Sequence, residues 1–301
     1  MKRLLVVLIV LLLTVSCGLG EQQKLVCPWK EDAPEALLAG EAAALLSLEQ
    51  AEAPEEDSAA AVNLMLGQPD TLLCDTQSAM LLSLQGYTAE DLRTAMTPVC
   101  QIASCPLYFV VGSFCASTLG IDSMEGFLDY INAHEYELLM GRYTDASVED
   151  CAAADLSDAL PLLTDYYFLD EIIAALEEDE LQAAVLTGTD LTAYADTNAF
   201  VPLMSLGSER TKEHPELPCA AELDLPVCIA KNVYLLASAK MPEEAVNSLA
   251  QRFLEGCSSL TIPQSYEAVP LTGEALQEQV KQEFAKFKRY MTAEGLFFYE
   301  E

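Results

Sequence analysis

Two positive charges stand out in a chain that is otherwise strongly acidic. The sequence has 48 acidic and 15 basic residues and a formal net charge of −33. Arg142 is the only Lys or Arg from Thr94 to Glu209, and Lys30 lies in a polar segment near the start. A guanidinium can hold a carboxylate through two parallel hydrogen bonds. The two cations therefore predict a site for an organic anion, unless Arg142 pairs with Asp145 or another neighbouring acid.

Other kinds of chemistry have little support in the sequence. Its two histidines, His134 and His214, are far apart, and no GxSxG, GxGxxG, P-loop or CxxC motif occurs. We therefore predict no enzymatic activity, no cofactor and no metal site. Nucleic acid is excluded as a partner because its binding needs a basic face that neutralises phosphates.

The first residues have the pattern of an export signal. Two basic residues precede an uncharged apolar run over residues 4–15, which suits a signal peptide and is too short to cross a bilayer. Residues 13–18 then resemble a bacterial lipobox. We predict a signal peptide over 1–16, lipidation of Cys17 and a tether over 17–23. The protein would be anchored to the outer face of the cell membrane, or periplasmic if ordinary cleavage occurs a few residues later.

Nine cysteines remain after Cys17, and an odd number cannot all pair within one chain. Many lie in apolar runs, such as Leu72-Leu73-Cys74 and Pro226-Val227-Cys228. This placement is typical of small buried hydrophobic residues rather than metal ligands.

Short apolar runs alternate with helical patterns, which predicts an α/β architecture. The run Leu107–Val111 predicts a buried parallel strand. A final helix is expected to begin near Thr272, an N-cap residue. Its apolar stripe consists of Leu276, Val280, Phe284, Phe287 and Met291.

Several short segments follow one another in a recognisable order. They are Pro69–Leu73, Thr97–Val99, Cys105–Val111, Ser208–Arg210, Leu217–Glu222 and Met241–Glu244. In order and spacing they resemble segments of the substrate-binding proteins of tripartite tricarboxylate transporters, the Bug family. The resemblance covers nearly all of the chain, from Lys24 to Gly295.

The resemblance implies a type II periplasmic-binding-protein fold, with two α/β lobes, a ligand cleft and two crossovers. Lobe 1 would comprise residues 24–115 and 229–301, and lobe 2 residues 116–228. It also implies a monomeric solute-binding lipoprotein that captures a small organic acid for the membrane subunits of a tripartite transporter.

In this family two glycine-rich loops, one from each lobe, grip a carboxylate ligand. Here residues 28–34 lack glycine entirely, and residues 141–147 keep only Gly141. The predicted ligand-binding residues are Trp29, Lys30, Asp75, Thr76, Gln77, Arg142, Tyr143, Thr144, Ser147, Tyr166, Tyr167 and Thr189.

The lost glycines leave an alternative open. The chain could be a surface binding or sensory module that kept the fold but lost carboxylate transport, and that binds a cationic solute. Residues 149–180, which carry eleven acids and no Lys or Arg, are interpreted mostly as a solvated helix face.

Overall fold

The computed structural model describes residues 23–51 and 57–299. The predicted signal peptide, Cys17 and most of the tether lie outside the described residues. Ten strands occur in the described part: β1 Lys24–Val26, β2 Glu49–Gln50, β3 Thr71–Asp75, β4 Met96–Gly112, β5 Leu139–Tyr143, β6 Leu163–Tyr167, β7 Ala183–Thr187, β8 Phe200–Ser205, β9 Ala230–Ser238 and β10 Glu267–Leu271.

Eleven α-helices accompany these strands within the described ranges. They are α1 Pro34–Leu46, α2 Ser58–Gly67, α3 Ser78–Leu84, α4 Leu92–Ala95, α5 Ser113–Leu119, α6 Met124–Ala133, α7 Val148–Ala159, α8 Leu169–Glu177, α9 Gly188–Ala193, α10 Glu243–Gly256 and α11 Gly273–Ala293.

The strands form two linked groups rather than one uniform sheet. In the first group β2, β1 and β3 are parallel, and β3 continues through antiparallel β9 to β4. In the second group β4 pairs with antiparallel β7 and β8, and β5 lies parallel to both β7 and β6. Parallel pairing requires the helical crossovers that the alternating pattern predicted.

The long strand β4 belongs to both groups and is the first crossover between them. Its residues up to Pro106 pair with β9, whereas Leu107–Gly112 pair with β7 and β8. The second crossover is the connection from β8 to β9. The change of partner on β4 precedes residue 116, where the sequence placed the lobe boundary. We therefore propose that lobe 1 ends at about residue 106.

The predicted strand Leu107–Val111 is the second half of β4, but it is antiparallel to its neighbours rather than parallel. The sequence pattern could not show this, because a fully apolar run indicates burial on both faces and not strand direction. All five residues of the predicted stripe on the last helix, α11, are buried, so that prediction is confirmed.

Helix α11 contacts both lobes. It packs against α3 and β4 in lobe 1 and against α7 in lobe 2. Lys286 of α11 forms a 3.0 Å ion pair with Asp155 of α7. Among the described residues, no helix is both long and apolar enough to span a membrane.

Candidate functional site

Trp29 and Asp75 join the loop after β1 to the end of β3. The indole Nε1 donates a hydrogen bond to Asp75 Oδ1 at 3.1 Å, and the backbone N–H of Thr76 donates to the same oxygen at 2.7 Å. Burial raises the pKa of Asp75 to about 7, although hydrogen bonds from Thr76, Ser58 and Trp29 favour its ionised form. The hydrogen bond fixes the indole edge and leaves the aromatic face available for a cation.

That cation is Lys231, the second residue of β9. Its Nζ lies 5.1 Å from the centre of the Trp29 ring and 3.0 Å from Glu35 Oε1. The same ammonium lies 4.0 Å from Glu149 Oε1. Glu35 belongs to α1 of lobe 1 and Glu149 to α7 of lobe 2, so Lys231 lies close to helices of both lobes. Its side chain is only 18% exposed.

Lys231 and Glu35 are both ionised. Burial by itself would raise the pKa of Glu35, but the Lys231 ammonium and the Tyr266 hydroxyl hold it below its ordinary value. Tyr266 donates to Glu35 Oε1 at 2.6 Å. Burial would lower the pKa of Lys231, but Glu149 and Glu35 together raise it.

Several helices near Lys231 begin with an acid of their own. Glu35 lies in the first turn of α1, Glu149 and Asp150 in that of α7, and Asp190 in that of α9. The backbone N–H of Thr187 donates to Asp190 Oδ2 at 2.9 Å. Because helix N-termini attract negative charge, these carboxylates occupy positions that an anionic ligand would otherwise use.

Arg142 is held within the protein. Its Nε and Nη2 donate to the two oxygens of Asp150 at 2.9 and 2.7 Å, and its Nη1 donates to Glu294 at 3.0 Å. Tyr290 of α11 also donates to Asp150, and the Tyr166 ring lies 5.1 Å from the guanidinium carbon. The Arg142 side chain is 7% exposed. Arg142 therefore pairs with a neighbouring acid, which was the alternative to a ligand role, and the partner is Asp150 instead of Asp145.

The buried position of Asp150 is an exception among the acids of residues 149–180. Most of these acids are exposed, in agreement with the predicted solvated face, but Asp150 is 2% exposed. It accepts hydrogen bonds from the guanidinium of Arg142, the backbone N–H of Tyr143 and the hydroxyl of Tyr290. A charged residue at such a position needs this number of partners, because an uncompensated buried carboxylate is costly.

The other predicted site residues form hydrogen bonds within the protein or lie at its surface. The Gln77 side chain donates a hydrogen bond to the backbone of β9, and the hydroxyls of Thr76 and Thr189 share hydrogen bonds with those of Ser78 and Ser265. The Tyr143 hydroxyl donates to Val185 O, and the backbone N–H of Thr144 donates to Tyr167 O. Ser147 is the N-cap of α7. Lys30 is exposed, Tyr166 is half-exposed and Tyr167 is partly buried.

The structure thus brings Trp29 together with Asp75, and Arg142 together with Tyr166, but in separate clusters. The sequence reasoning missed Lys231 and Glu35. A signal existed for Lys231, which directly follows the apolar run Val227–Ala230 and is separated from the next lysine by eight residues. Glu35 carried no comparable signal, because it is one of 48 acids.

The nine cysteines are free thiols. Six of them are at least 97% buried, as predicted from their apolar runs, and burial raises the pKa of Cys74, Cys100 and Cys105. Cys228 departs from the prediction because it is exposed. Within residues 23–51 and 57–299, no group of three or more His, Cys, Asp or Glu side chains is arranged to hold a metal.

Comparison with solved structures decides the fold. A TctC solute-binding protein from Polaromonas superposes with a TM-score of 0.76 at 15% identity, over 92% of this chain and 100% of that one. The chain has the fold of a periplasmic binding protein. The predicted two-lobed α/β architecture is therefore confirmed.

Two further solved structures share this fold. The R. palustris protein Rpa4515 with adipate has a TM-score of 0.67 at 20% identity, covering 92% of this chain and 99% of that one. MatC from Rhodopseudomonas palustris with bound malate has a TM-score of 0.62 at 16% identity, with 90% and 99% covered. No protein-family model and no curated protein sequence matches the chain.

Proposed function

We propose that this chain is an exported solute-binding protein of the TctC/Bug type, which captures a small organic acid for the membrane subunits of a tripartite transporter. The single observation that supports this most is the position of Lys231. Its ammonium lies at the start of β9, directly after the second crossover, 3.0 Å from Glu35 of lobe 1 and 4.0 Å from Glu149 of lobe 2. A ligand bound there would contact both lobes, as capture by lobe closure requires.

Lys231 replaces Arg142 and Lys30 as the proposed holder of the ligand carboxylate. Every strong contact of Arg142 is made to Asp150 and Glu294, so its charge is already compensated. Lys231 has one close partner, Glu35, while Glu149 is 1.0 Å more distant, at 4.0 Å against 3.0 Å. In this proposal Glu149 occupies the place of the ligand carboxylate, and an organic acid binds by taking that place.

A second candidate function has its own observation. The acids at the starts of α1, α7 and α9 create a negative field around Lys231. This arrangement favours a surface binding or sensory module for a cationic solute over one for a dicarboxylate.

Calorimetry on the mature protein separates the two functions. Malate and adipate represent the organic acids, and 1,4-diaminobutane represents the cationic solutes. The transport proposal expects binding of one of the acids and its loss in Lys231→Met. Binding of the diamine and of neither acid, with diamine binding weakened in Glu149→Gln, would reject the organic-acid proposal in favour of the cationic one.

Lipid anchoring at Cys17 completes the proposed function. Several acyl chains on one cysteine would hold the protein stably at the membrane. Cys17→Ala should leave the precursor uncleaved or release the protein, as shown by fractionation and mass spectrometry. A mature-sized Cys17→Ala protein in the membrane fraction would contradict the anchor.

A further inference from the structure

A polar chamber lies beneath α11, on the face of β9 opposite to Lys231. Side chains alternate along a strand, so Lys231 points toward Glu35 and Trp29, whereas its neighbour Asn232 points toward Glu283 of α11. The chamber has a volume of about 490 Å³, within the usual range for small-molecule sites. Its walls include residues of β4, β9, α11 and the connection between the lobes.

The chamber is built around Glu283. One carboxylate oxygen, Oε1, accepts hydrogen bonds from Asn232 Nδ2 at 2.7 Å and Tyr234 Oη at 2.8 Å, with Gln77 Nε2 at 3.4 Å. The other, Oε2, is enclosed and has no hydrogen-bond partner. An unpartnered buried polar atom of this kind is costly and rare in folded proteins, so it calls for a bound group.

The surrounding amides are fixed by one another. Gln279 Nε2 donates to Gln101 Oε1 and to Tyr234 Oη, each at 2.8 Å, and Gln101 Nε2 donates to Asn232 Oδ1 at 2.9 Å. The network holds Glu283 in one orientation without supplying a donor to its second oxygen. Glu283 is therefore a positioned acceptor, and its immobility lowers the entropic cost of binding.

No positive charge of the chamber compensates Glu283. The nearest lining cation, Lys286, pairs with Asp155 at 3.0 Å and donates to Cys228 O at 3.4 Å. Burial raises the pKa of Glu283 to about 7, which an adjacent cation would reverse. A ligand that satisfies Oε2 and neutralises the carboxylate would supply both an N–H donor and a positive charge.

We propose that the chamber beneath α11 binds a small primary ammonium compound, with the Glu283 carboxylate as its counterion. Ser104 and Ser208 at the wall offer hydroxyls to the rest of the ligand. Because the walls come from both crossovers, an occupant contacts the segments that join the two lobes. This site is separate from the one at Lys231 and does not depend on its ligand.

Calorimetry with ethanolamine tests the site on the full mature chain. The unmodified protein should bind ethanolamine, and Glu283→Gln should weaken binding by at least about tenfold, since a charge-assisted hydrogen bond is lost. Tetramethylammonium, which has the charge but no N–H donor, should bind at least about tenfold more weakly than ethanolamine. Glu278→Gln, on the exposed side of the same helix, should leave the affinity unchanged.

Two further variants serve as controls for the test. Ser208→Trp places a large side chain at the exposed edge of the chamber without touching the buried network, so it should also weaken ethanolamine binding. Lys231→Met should leave that binding unchanged, which distinguishes the chamber from the proposed organic-acid site. Absence of ethanolamine binding, equal affinity in Glu283→Gln, or equal binding of tetramethylammonium would overturn the proposal.

Discussion

Lys231 and Arg142 are both cations that pair with carboxylates, but their surroundings differ. Arg142 makes two hydrogen bonds to Asp150 and a third to Glu294, and its side chain is 7% exposed. Lys231 has one close carboxylate and a second at 4.0 Å, and its side chain is 18% exposed. Two carboxylates accept hydrogen bonds from the guanidinium, whereas the ammonium has only one carboxylate that close and has capacity for another partner.

The difference follows from which elements supply the acids. Asp150 is eight residues from Arg142 in sequence and belongs to the same lobe, so their pairing survives any movement between lobes. Glu149, adjacent to Asp150, instead lies 4.0 Å from Lys231 at the start of β9, directly after the second crossover. Neighbouring acids at the start of α7 thus have two roles, one that stabilises lobe 2 and one that contacts the hinge region. The rest of the comparison can be tested by substitution.

Arg142→Leu should have the largest effect, on stability. It would leave Asp150 buried without its counterion, and removing one partner of a buried pair costs about 3–5 kcal/mol. Chemical denaturation followed by circular dichroism measures the loss. Arg210→Leu is the matched control, because its pair with Glu222 is exposed and should leave the denaturation midpoint unchanged. Equal behaviour of the two variants would contradict a structural role for Arg142.

Lys231→Met should have its main effect on ligand binding. The ammonium is the proposed partner of the ligand carboxylate, so its removal should weaken organic-acid binding by about 10- to 150-fold. Lys231→Met combined with Glu35→Gln removes both charges of the pair and controls for an uncompensated Glu35. If the double variant recovers organic-acid affinity, Lys231 is a structural counterion and not a ligand contact.

The sequence predicted the fold better than the site. The order of segments from Pro69 to Glu244 indicated the architecture through its resemblance to a known family. The apolar stripe of α11 was predictable from the sequence itself, because core positions of a helix follow a regular periodicity. The binding residues depend on which charges become neighbours after folding. Arg142 was conspicuous by its isolation in sequence, yet the fold places Glu294, more than 150 positions away, against it. No local pattern contains such a pairing.

Asp75 predicts a pH dependence of stability. Burial raises its pKa to about 7 from an ordinary value of 3.8, so the folded state binds more protons than the unfolded state between these values. Its contribution therefore makes folding less favourable as pH rises from about 4 to 7. Asp75→Asn should remove this contribution and flatten the decline in stability. Denaturation of both proteins from pH 4.5 to 7.5 measures the difference in slope.

The outcome for Asp75→Asn also tests whether Asp75 is enclosed beside Trp29. If the variant has the same slope as the unmodified protein, Asp75 titrates normally and is not enclosed as the structure has it. A shift of one pKa unit corresponds to about 1.4 kcal/mol, which is large enough to detect by denaturation.

Glu149→Gln tests most directly whether Lys231 holds an organic acid in competition with the chain's own carboxylate. The variant removes a negative charge 4.0 Å from Lys231 while keeping the size of the side chain. Asp145→Asn, an exposed acid in the preceding loop, is the control. Calorimetry should show about twofold to fivefold tighter binding of malate or adipate to Glu149→Gln and no change for Asp145→Asn. Unchanged or weaker binding of the acids, or a loss of 1,4-diaminobutane binding in Glu149→Gln, would contradict the account.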